Sequence, residues 1–396
     1  MPEQVLLRSC RLYHASAAEG VVDLLIENGR IAAIGRALQE PVPATVIDLQ
    51  GRILAPGFID LHVQGAGGAD VLDGTEEALQ TIARTLVRFG TTAFLATTAM
   101  HFDKPNTHLQ VAAACTGKDL GGAHLLGLHL EGPFINPQRR GGMSPTCIGP
   151  ARMDTLRSLL DMTAGALKMM TIAPELDGSL AIIEQLVAAG IVASFGHSTA
   201  SYEEALGGIG AGITHATHLF NAMAPLHHRQ PGPLPALAES DNVTAQLIAD
   251  GVHVHPAVVK LAWRLFGPSR LACITDGIQA LGLPEGRYLY NGREYEAKHG
   301  TARYLDGTLI GTALGLDQMV ARLRRFCGCS LPEAIEAASF NPAGVLGLAG
   351  RKGSLAVGKD ADLVVLDPDG SVALTLVAGK VRFRKEESEG ADSRAS

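Results

Sequence analysis

Histidines and carboxylates recur where short apolar segments of the chain end, and their types are those of a hydrolytic metal site. Glu131 ends "LLGLHLE", His197 follows "IVASFG" and His218 follows "GITHAT". Two imidazoles and one carboxylate are a protein ligand set of a catalytic zinc site, which keeps one position open for water. Asp276, after "LACIT", is placed to accept a proton from that water and later to donate one to a leaving amine. The pattern therefore predicts metal-assisted hydrolysis.

Further polar residues follow similar segments, and their number affects how each histidine is interpreted. His62 and Gln64 follow the first segment, and Asp250 and His253 follow the seventh. A single histidine on an apolar strand is more often a hydrogen-bonded core residue, and we interpret His215 in that way. Several buried polar groups without a shared role would each cost roughly 1–3 kcal/mol. Their recurrence therefore favours one common site.

The segments that carry these residues alternate with helical stretches. Apolar runs such as "TTAFLATT" and "TAQLIAD" are separated by stretches such as "TEEALQTIARTLVRFG", several of which end in glycine as helices tend to. This alternation predicts parallel β/α units. Eight units between residues 55 and 350 fit a closed barrel, whose active sites lie at the carboxyl ends of the strands. We predict a hairpin insertion at residues 283–312.

The two ends of the chain have a different pattern from the middle. Residues 1–54 and 351–386 contain short alternating strands joined by turns, with Asn28-Gly29 as a strong hairpin signal. We therefore predict a small β-sandwich domain formed by both termini. The polar segment 387–396 is predicted to be a disordered tail.

Composition excludes several classes of function. The net charge is −7 and the basic residues are scattered, which argues against nucleic-acid binding. No apolar run approaches the roughly 18 residues of a membrane helix, and the N-terminus lacks a signal-peptide pattern. The six cysteines show no Cys-x-x-Cys spacing, and we interpret them as reduced thiols. We expect a cytoplasmic protein that binds neither nucleic acid nor membranes.

Motifs along nearly the whole chain together resemble one family. They run from "APGFIDLHVQGAGG" through "GLHLEGPF", "GHS", "THLFNAM" and "IADGVHV" to "TDG" and "GSLAVGKDADLVVLD". GFID-x-H alone is typical of the amidohydrolase superfamily, whereas HLEGP, GHS, TH-x-FNAM and ADG-x-H in combination resemble its N-acetylglucosamine-6-phosphate deacetylases. The resemblance implies an α/β fold, a distorted (β/α)8 TIM barrel with a terminal β-sandwich, in a homodimer. It also implies hydrolysis of N-acetylglucosamine 6-phosphate to glucosamine 6-phosphate and acetate in amino-sugar catabolism.

The resemblance assigns roles to single residues. It makes Glu131, His197 and His218 the metal ligands and Asp276 the acid/base. The residues that it places at the substrate lie in the lid, after strands six and seven, and in a closing segment: Gly142, Met143, Asn221, Ala222, Arg229, His253, Leu309, Ile310 and Gly311.

Two of these substrate residues carry specific expectations. Arg229 is implied to bind the phosphate, since charge-assisted hydrogen bonds to an oxyanion are about twice as strong as neutral ones. The alternative for Arg229 is a surface salt bridge. His253 is implied to polarise the acetyl carbonyl or to bond the sugar, and either residue could reach the phosphate from a partner subunit.

The first strand end bears on the number of metal ions. In the superfamily a His-x-His there helps to hold a second metal, whereas this chain has His62 and then Gln64. Gln is a poor substitute for imidazole toward zinc. We therefore predict one tightly bound divalent ion per subunit, with His62 and Gln64 beside it or at a weak second site. Zinc is favoured, and iron, cobalt and manganese tolerate the same ligands.

The lid segment "NPQRRGGMSPTCIGP" departs from the family. The family commonly has a histidine that contacts the sugar where this chain has Met143, and a thioether cannot donate that hydrogen bond. This leaves N-acetylgalactosamine 6-phosphate or another N-acyl compound as alternative substrates. A catalytically silent scaffold is disfavoured, because Asp276 and the predicted ligands are all present.

Overall fold

The computed structural model describes residues 4–16, 20–290 and 292–386. The predicted disordered tail at 387–396 lies outside the described residues. None of the helices in these ranges combines the length and the hydropathy that a bilayer crossing requires.

The strands follow one another along the chain as β1 (Gln4–Leu12), β2 (Val22–Glu27), β3 (Arg30–Gly35), β4 (Thr45–Asp48), β5 (Ile53–Pro56), β6 (Phe58–Val63), β7 (Gly65–Ala66), β8 (Ala69–Asp70), β9 (Thr91–Thr98), β10 (His124–Glu131), β11 (Leu167–Ile172), β12 (Val192–Phe195), β13 (His215–Ala216), β14 (Thr244–Ile248), β15 (Leu271–Ile274), β16 (Gly286–Tyr290), β17 (Arg293–Lys298), β18 (Thr301–Tyr304), β19 (Leu309–Thr312), β20 (Leu363–Leu366), β21 (Val372–Val377) and β22 (Lys380–Arg384).

The helices are α1 (Glu76–Leu86), α2 (Thr107–Cys115), α3 (Met153–Thr163), α4 (Ser179–Ala188), α5 (Tyr202–Ala211), α6 (Pro233–Glu239), α7 (Pro256–Phe266), α8 (Leu316–Cys327), α9 (Leu331–Ala337) and α10 (Phe340–Val345).

Eight parallel strands form the barrel, in the order β6, β9, β10, β11, β12, β13, β14 and β15. All residues of β6 and β9 are buried, as expected for parallel strands covered on both faces. The ring is nearly closed between its first and last strands, where the Asp276 N–H donates to the His62 carbonyl at 2.9 Å. The predicted (β/α)8 barrel is confirmed.

The second large sheet is built from both ends of the chain. Its order is β22, β21, β20, β5, β1, β2 and β3, with β4 paired to β1. Strand β1 joins the two parts of this sheet, because its first half pairs with β2 and β4 and its last residues pair with β5. A core from both termini, which includes Leu24 and Leu363, lies between them. The turn at Asn28-Gly29 has positive φ at both residues, as a two-residue hairpin requires.

Two details differ from the sequence-based predictions. The first predicted barrel strand is divided at Gly57, because β5 pairs with β20 whereas β6 pairs with β9. The insertion at 283–312 is larger than one hairpin: β16 to β19 form a four-stranded antiparallel sheet. A separate small core, which contains Tyr295 and Ile310, stabilises this sheet.

Candidate active site

The polar residues singled out in the sequence lie at the carboxyl ends of separate barrel strands. Glu131 is the last residue of β10, and His197, His218 and Asp276 each lie two residues beyond β12, β13 and β15. The backbones of the latter three have positive φ, at 49°, 28° and 48°. Such a conformation costs a non-glycine residue of order 1–3 kcal/mol and clusters at functional sites. The strain therefore marks this end of the barrel as a functional one.

Glu131, His197 and His218 converge on one point. Glu131 Oε1 lies 2.8 Å from His197 Nε2 and 2.9 Å from His218 Nε2, and the two Nε2 atoms are 3.1 Å apart. All three side chains are buried. His197 Nδ1 donates to the Arg139 carbonyl at 2.7 Å, which directs the lone pair of its Nε2 toward the carboxylate. One carboxylate oxygen and two imidazole nitrogens at this spacing can hold a divalent metal ion.

The electrostatics of the two acidic residues differ. Burial favours a neutral Glu131, but the surrounding histidines His62, His197 and His218 outweigh it and hold the pKa of Glu131 well below its usual range. For Asp276, burial and the charge of Glu131 raise the pKa to about 6. Glu131 is therefore ionised, as binding of a metal ion would require, while Asp276 can exchange a proton near neutral pH.

His62 and Gln64 lie on the Asp276 side of the candidate metal-ligand group, which consists of Glu131, His197 and His218. His62 Nε2 is 3.3 Å from Asp276 Oδ1 and 3.8 Å from Glu131 Oε2, and burial lowers the pKa of His62 to about 4. Gln64 donates through Nε2 to Asp276 Oδ1 at 3.3 Å and accepts from the Tyr290 hydroxyl. The amide of Gln64 is thus engaged with protein groups on both sides.

The strand ends open into a cavity of about 170 Å³. Most of the residues that the sequence pointed to line it: Gln64, Glu131, Gly142, Met143, His197, His218, Asn221, Ala222, His253, Asp276, Leu309, Ile310 and Gly311. The lid and the closing segment meet there, since a Cβ added at Gly142 would lie 2.7 Å from Ile310 Cγ2. The cavity is therefore bounded by both segments.

His253 is held in a fixed orientation at the cavity wall. Its Nδ1 lies 2.7 Å from Asp250 Oδ2, and Asp250 Oδ1 accepts the backbone N–H groups of Val252 and His253. Since Nδ1 is engaged by a carboxylate, Nε2 is the ring nitrogen left for a ligand. Asp250 is thus a structural partner of His253.

Three other predicted residues lie away from the cavity. Arg229 is exposed in the loop between β13 and α6, where its guanidinium contacts His228 Nε2 at 2.9 Å. It lines a separate surface depression with residues of α5, so one chain does not bring Arg229 to the cavity. His62 is fully buried beneath the cavity. His215 is also fully buried, and its Nδ1 bonds Thr244 Oγ1 at 2.6 Å, which agrees with a structural role.

Some cavity residues were missed by sequence reasoning. Tyr290 arrives from the four-stranded insertion and reaches Gln64. His101 and Cys147 also line the wall, with His101 Nδ1 3.4 Å from Cys147 Sγ. The insertion offered only tyrosine-rich strands, and His101 lies in a loop without a motif, whereas Cys147 belongs to the lid segment singled out in the sequence. Only Cys147 therefore carried a signal, its position in the lid segment, that could have placed it at the site.

Comparison with known proteins identifies the family. The model of the amidohydrolase family matches residues 53–382. Among curated relatives, N-acetylglucosamine-6-phosphate deacetylase from Bacillus subtilis is 37% identical over 92% of this chain and 93% of its own length. The human protein of the same name is 39% identical over 92% of each chain. The chain belongs to the amidohydrolase family, among the N-acetylglucosamine-6-phosphate deacetylases.

Solved structures agree with this assignment. A mutant N-acetyl-D-glucosamine-6-phosphate deacetylase from Mycobacterium smegmatis, in complex with N-acetyl-D-glucosamine-6-phosphate, matches with a TM-score of 0.86 and 32% identity, over 96% of this chain and 99% of that one. The enzyme from Thermotoga maritima matches with a TM-score of 0.82 and 32% identity, over 96% and 100% of the two chains. The fold and the family predicted from the sequence are both confirmed.

Proposed function

We propose that this protein hydrolyses N-acetylglucosamine 6-phosphate to glucosamine 6-phosphate and acetate with the help of a metal ion. The observation that carries the proposal is the buried group of Glu131, His197 and His218, which opens on a cavity that Asp276 also lines. Relatives that bear the name of this deacetylase share 37–39% of their residues with most of the chain. They favour this substrate over N-acetylgalactosamine 6-phosphate.

The donor set fits a transition-metal ion. A carboxylate oxygen and two imidazole nitrogens suit zinc, and also iron, cobalt and manganese. Such an ion would polarise the acetyl carbonyl and make water a better nucleophile. We propose one ion per subunit, with zinc as the favoured metal. The Gln64 amide is hydrogen-bonded to both Asp276 and Tyr290. This supports a single ion, since the Gln64 side chain is not free to bind a second one.

The acid/base role belongs to Asp276. With a pKa raised to about 6, its carboxylate can accept a proton from water at neutral pH and donate it to the nitrogen of the leaving amine. Gln64 Nε2 holds Oδ1 of this carboxylate at 3.3 Å, so Oδ2 is the oxygen left for the proton. The proton transfer thus depends on a carboxylate that the protein both orients and keeps weakly acidic.

Substrate binding is assigned to the cavity walls. Nε2 of His253 can bond the acetyl oxygen or a sugar hydroxyl, because Nδ1 is held by Asp250. Asn221 and Ala222, after the sixth barrel strand, and Gly142 and Met143 of the lid all line the cavity. We propose that the first two bind the phosphate and that the lid pair covers the sugar. The closing segment Leu309–Ile310–Gly311 lines the remaining side.

Assembly and compartment complete the proposal. Arg229 lies outside the cavity of its own chain, so we propose a homodimer in which the Arg229 side chain serves the phosphate across the interface. The six cysteines are all unpaired, which suits a reducing compartment, and we propose the cytoplasm.

Acetate release from a panel of substrates tests the function. We expect zinc-loaded protein to deacetylate N-acetylglucosamine 6-phosphate much faster than N-acetylgalactosamine 6-phosphate or unphosphorylated N-acetylglucosamine. A preference for the galactose isomer would change the substrate assignment. Turnover that is independent of the phosphate would contradict the proposed roles of Arg229, Asn221 and Ala222.

A further inference from the structure

A carboxylate outside the cavity connects three loops around the metal-ligand group. Glu175 lies three residues beyond β11, between the loop after β10, where the lid begins at Asn136, and the loop after β12, which carries His197. It is partly buried and does not line the cavity among the described residues. Its position between neighbouring strand ends allows it to contact both adjacent loops.

The two oxygens of Glu175 accept four hydrogen bonds from these loops. Oε1 accepts from Asn136 Nδ2 at 3.1 Å, from the Thr199 N–H at 2.7 Å and from Thr199 Oγ1 at 3.2 Å. Oε2 accepts from the Ser198 hydroxyl at 2.7 Å. Hydrogen bonds to an ionised acceptor are stronger than neutral ones. One side chain therefore fixes the two residues that directly follow His197.

Asn136 extends the same network into the lid. Its side-chain amide also donates to Thr199 Oγ1 at 2.7 Å, and its backbone N–H donates to the His197 carbonyl at 2.9 Å. Three residues further on, the Arg139 carbonyl accepts from His197 Nδ1 at 2.7 Å. His197 is thus held at its carbonyl and at its ring by the segment that Asn136 begins.

The backbone of His197 needs such support. Its φ of 49° lies in the left-handed region, which a non-glycine residue leaves unless the surroundings hold it there. Residues that orient a histidine ligand through hydrogen bonds typically change metal affinity 10–100-fold when they are removed. Three of the four bonds to Glu175 come from Ser198 and Thr199, the residues next to this strained position, and the fourth comes from Asn136.

We propose that Glu175 is a positioning residue, which holds His197 in its ligand conformation and couples this conformation to the lid through Asn136. Glu175 touches neither the metal-ligand atoms nor the cavity, so its effect passes through Ser198, Thr199 and Asn136. The inference rests on the proposed metal role of His197.

The test is cobalt affinity, measured by competition with a chromophoric chelator, together with the visible absorption spectrum of the cobalt-loaded protein. Glu175→Ala should weaken binding 10–100-fold and alter the spectrum. Glu175→Gln keeps an acceptor oxygen for Asn136 and Thr199 and should recover most of the affinity. Glu333 is the matched control, because it accepts bonds at 2.7 Å from the Ser330 N–H and hydroxyl in a helix cap. Glu333→Ala should leave affinity and spectrum unchanged.

Three outcomes overturn the proposal, and they distinguish its failure from the failure of the metal site. If His197→Asn abolishes cobalt binding while Glu175→Ala binds like the wild type, Glu175 does not position the ligand. The same conclusion follows if Glu333→Ala weakens binding as much as Glu175→Ala, since the effect would then reflect general destabilisation. If His197→Asn itself binds cobalt normally, the proposed metal site is wrong, and the inference is refuted together with it.

Discussion

Three site residues combine a functional side chain with a strained backbone. His197, His218 and Asp276 all have positive φ, and the backbone of each is hydrogen-bonded to a neighbouring strand or loop. Asp276, for example, donates its N–H to the His62 carbonyl at 2.9 Å. Because each strained conformation costs of order 1–3 kcal/mol, the fold must supply compensating contacts. The site is therefore stabilised by the barrel around it rather than by its own geometry.

Replacement of the proposed acid/base is the first test at this scale. Asp276→Asn should reduce turnover of N-acetylglucosamine 6-phosphate by about 10²–10⁴-fold, the usual contribution of a general acid or base. The amide keeps the size of the carboxylate but cannot accept the proton. Metal content, measured by elemental analysis, and the melting temperature should stay near the wild-type values. Retained turnover would mean that another group acts as the base.

The pH dependence follows from the raised pKa of Asp276. Burial and Glu131 raise it to about 6, and below that value the group is protonated and cannot accept a proton. The plot of kcat/KM against pH should therefore rise through an acidic limb at about pH 6. A bound cation favours the carboxylate form of Asp276, so it should move this limb to a lower pH. An acidic limb well above 6, or one that persists in the residual activity of Asp276→Asn, would assign it to a different group.

Sequence reasoning at this scale predicted which side chains lie together where each follows a recognisable strand. Glu131, His197 and His218 could be named because their segments are apolar and end in motifs. Tyr290 could not be named, because it comes from a distant insertion, and only the tertiary fold brings its hydroxyl to Gln64. Arg229 was associated with the site by resemblance alone, and the geometry of one chain does not bring it there.

At the scale of elements, the junction between β5 and β6 decides where the terminal sheet ends and the barrel begins. The sequence "ILAPGFIDLH" is a single apolar run, so its pattern could not reveal that two sheets share it. Gly57 separates them, and it packs against Thr92 of β9, a residue that is 1% exposed. A glycine is required here because of this close approach.

A substitution at this junction tests that requirement. In Gly57→Ala the added Cβ would lie 2.2 Å from Thr92 Cγ2, so we expect the free energy of unfolding to fall by about 1–3 kcal/mol through overpacking. Gly207→Ala is the control, since Gly207 lies in α5 with nothing within 4 Å of an added Cβ. It should be neutral or stabilising by up to about 1 kcal/mol. Urea denaturation measures both, and equal stability of the two variants would contradict the packing argument.

The insertion shows a second limit of pattern reading. Turn residues and tyrosines at 283–312 indicated a hairpin, but they did not specify how many strands would pair. In the structure β18 and β19 continue the sheet, and the closing segment 309–311 lies within β19. The element that bounds the cavity is therefore a strand of a sheet with its own core, rather than a free loop.

For the whole molecule, the contact between the terminal sheet and the barrel contains a buried ionic cluster. Lys352 is 7% exposed and contacts Asp362, and its Nζ lies 3.1 Å from Asp360 Oδ2. His124 of β10 approaches Asp362 from the barrel at 3.8 Å. Asp362 also accepts the Ala378 N–H at 2.8 Å. The cluster thus connects residues from both parts of the fold.

Removal of the lysine should destabilise the whole molecule. Lys352→Ala leaves the buried Asp362 without its lysine partner, a change that typically costs about 3–5 kcal/mol, whereas Asp360 keeps its ion pair with Arg351 at 2.9 Å. The exposed pair of Lys118 and Glu76, at 3.6 Å, provides the control, and Lys118→Ala should cost less than about 1 kcal/mol. Thermal unfolding of both variants checks this, and similar melting temperatures would show that the buried cluster adds no net stability.

The overall architecture was the most predictable level. Alternating strands and helices, with β-rich ends, were enough to predict a (β/α)8 barrel and a small β-sandwich formed by both termini, because each pattern has few compatible topologies. The route of β1 through both parts of the terminal sheet was not predictable. It depends on a register shift between Leu7 and Cys10, which local sequence does not encode.

The most direct measurement is acetate release from N-acetylglucosamine 6-phosphate by metal-depleted protein as zinc is added back stepwise. The proposal predicts negligible turnover without metal and a linear rise that ends at one zinc ion per chain, with no recovery in Glu131→Ala. Full activity without metal, or no activity at saturating zinc, would contradict metal-dependent deacetylation at this site. A rise that continues to two ions per chain would contradict the single-ion centre.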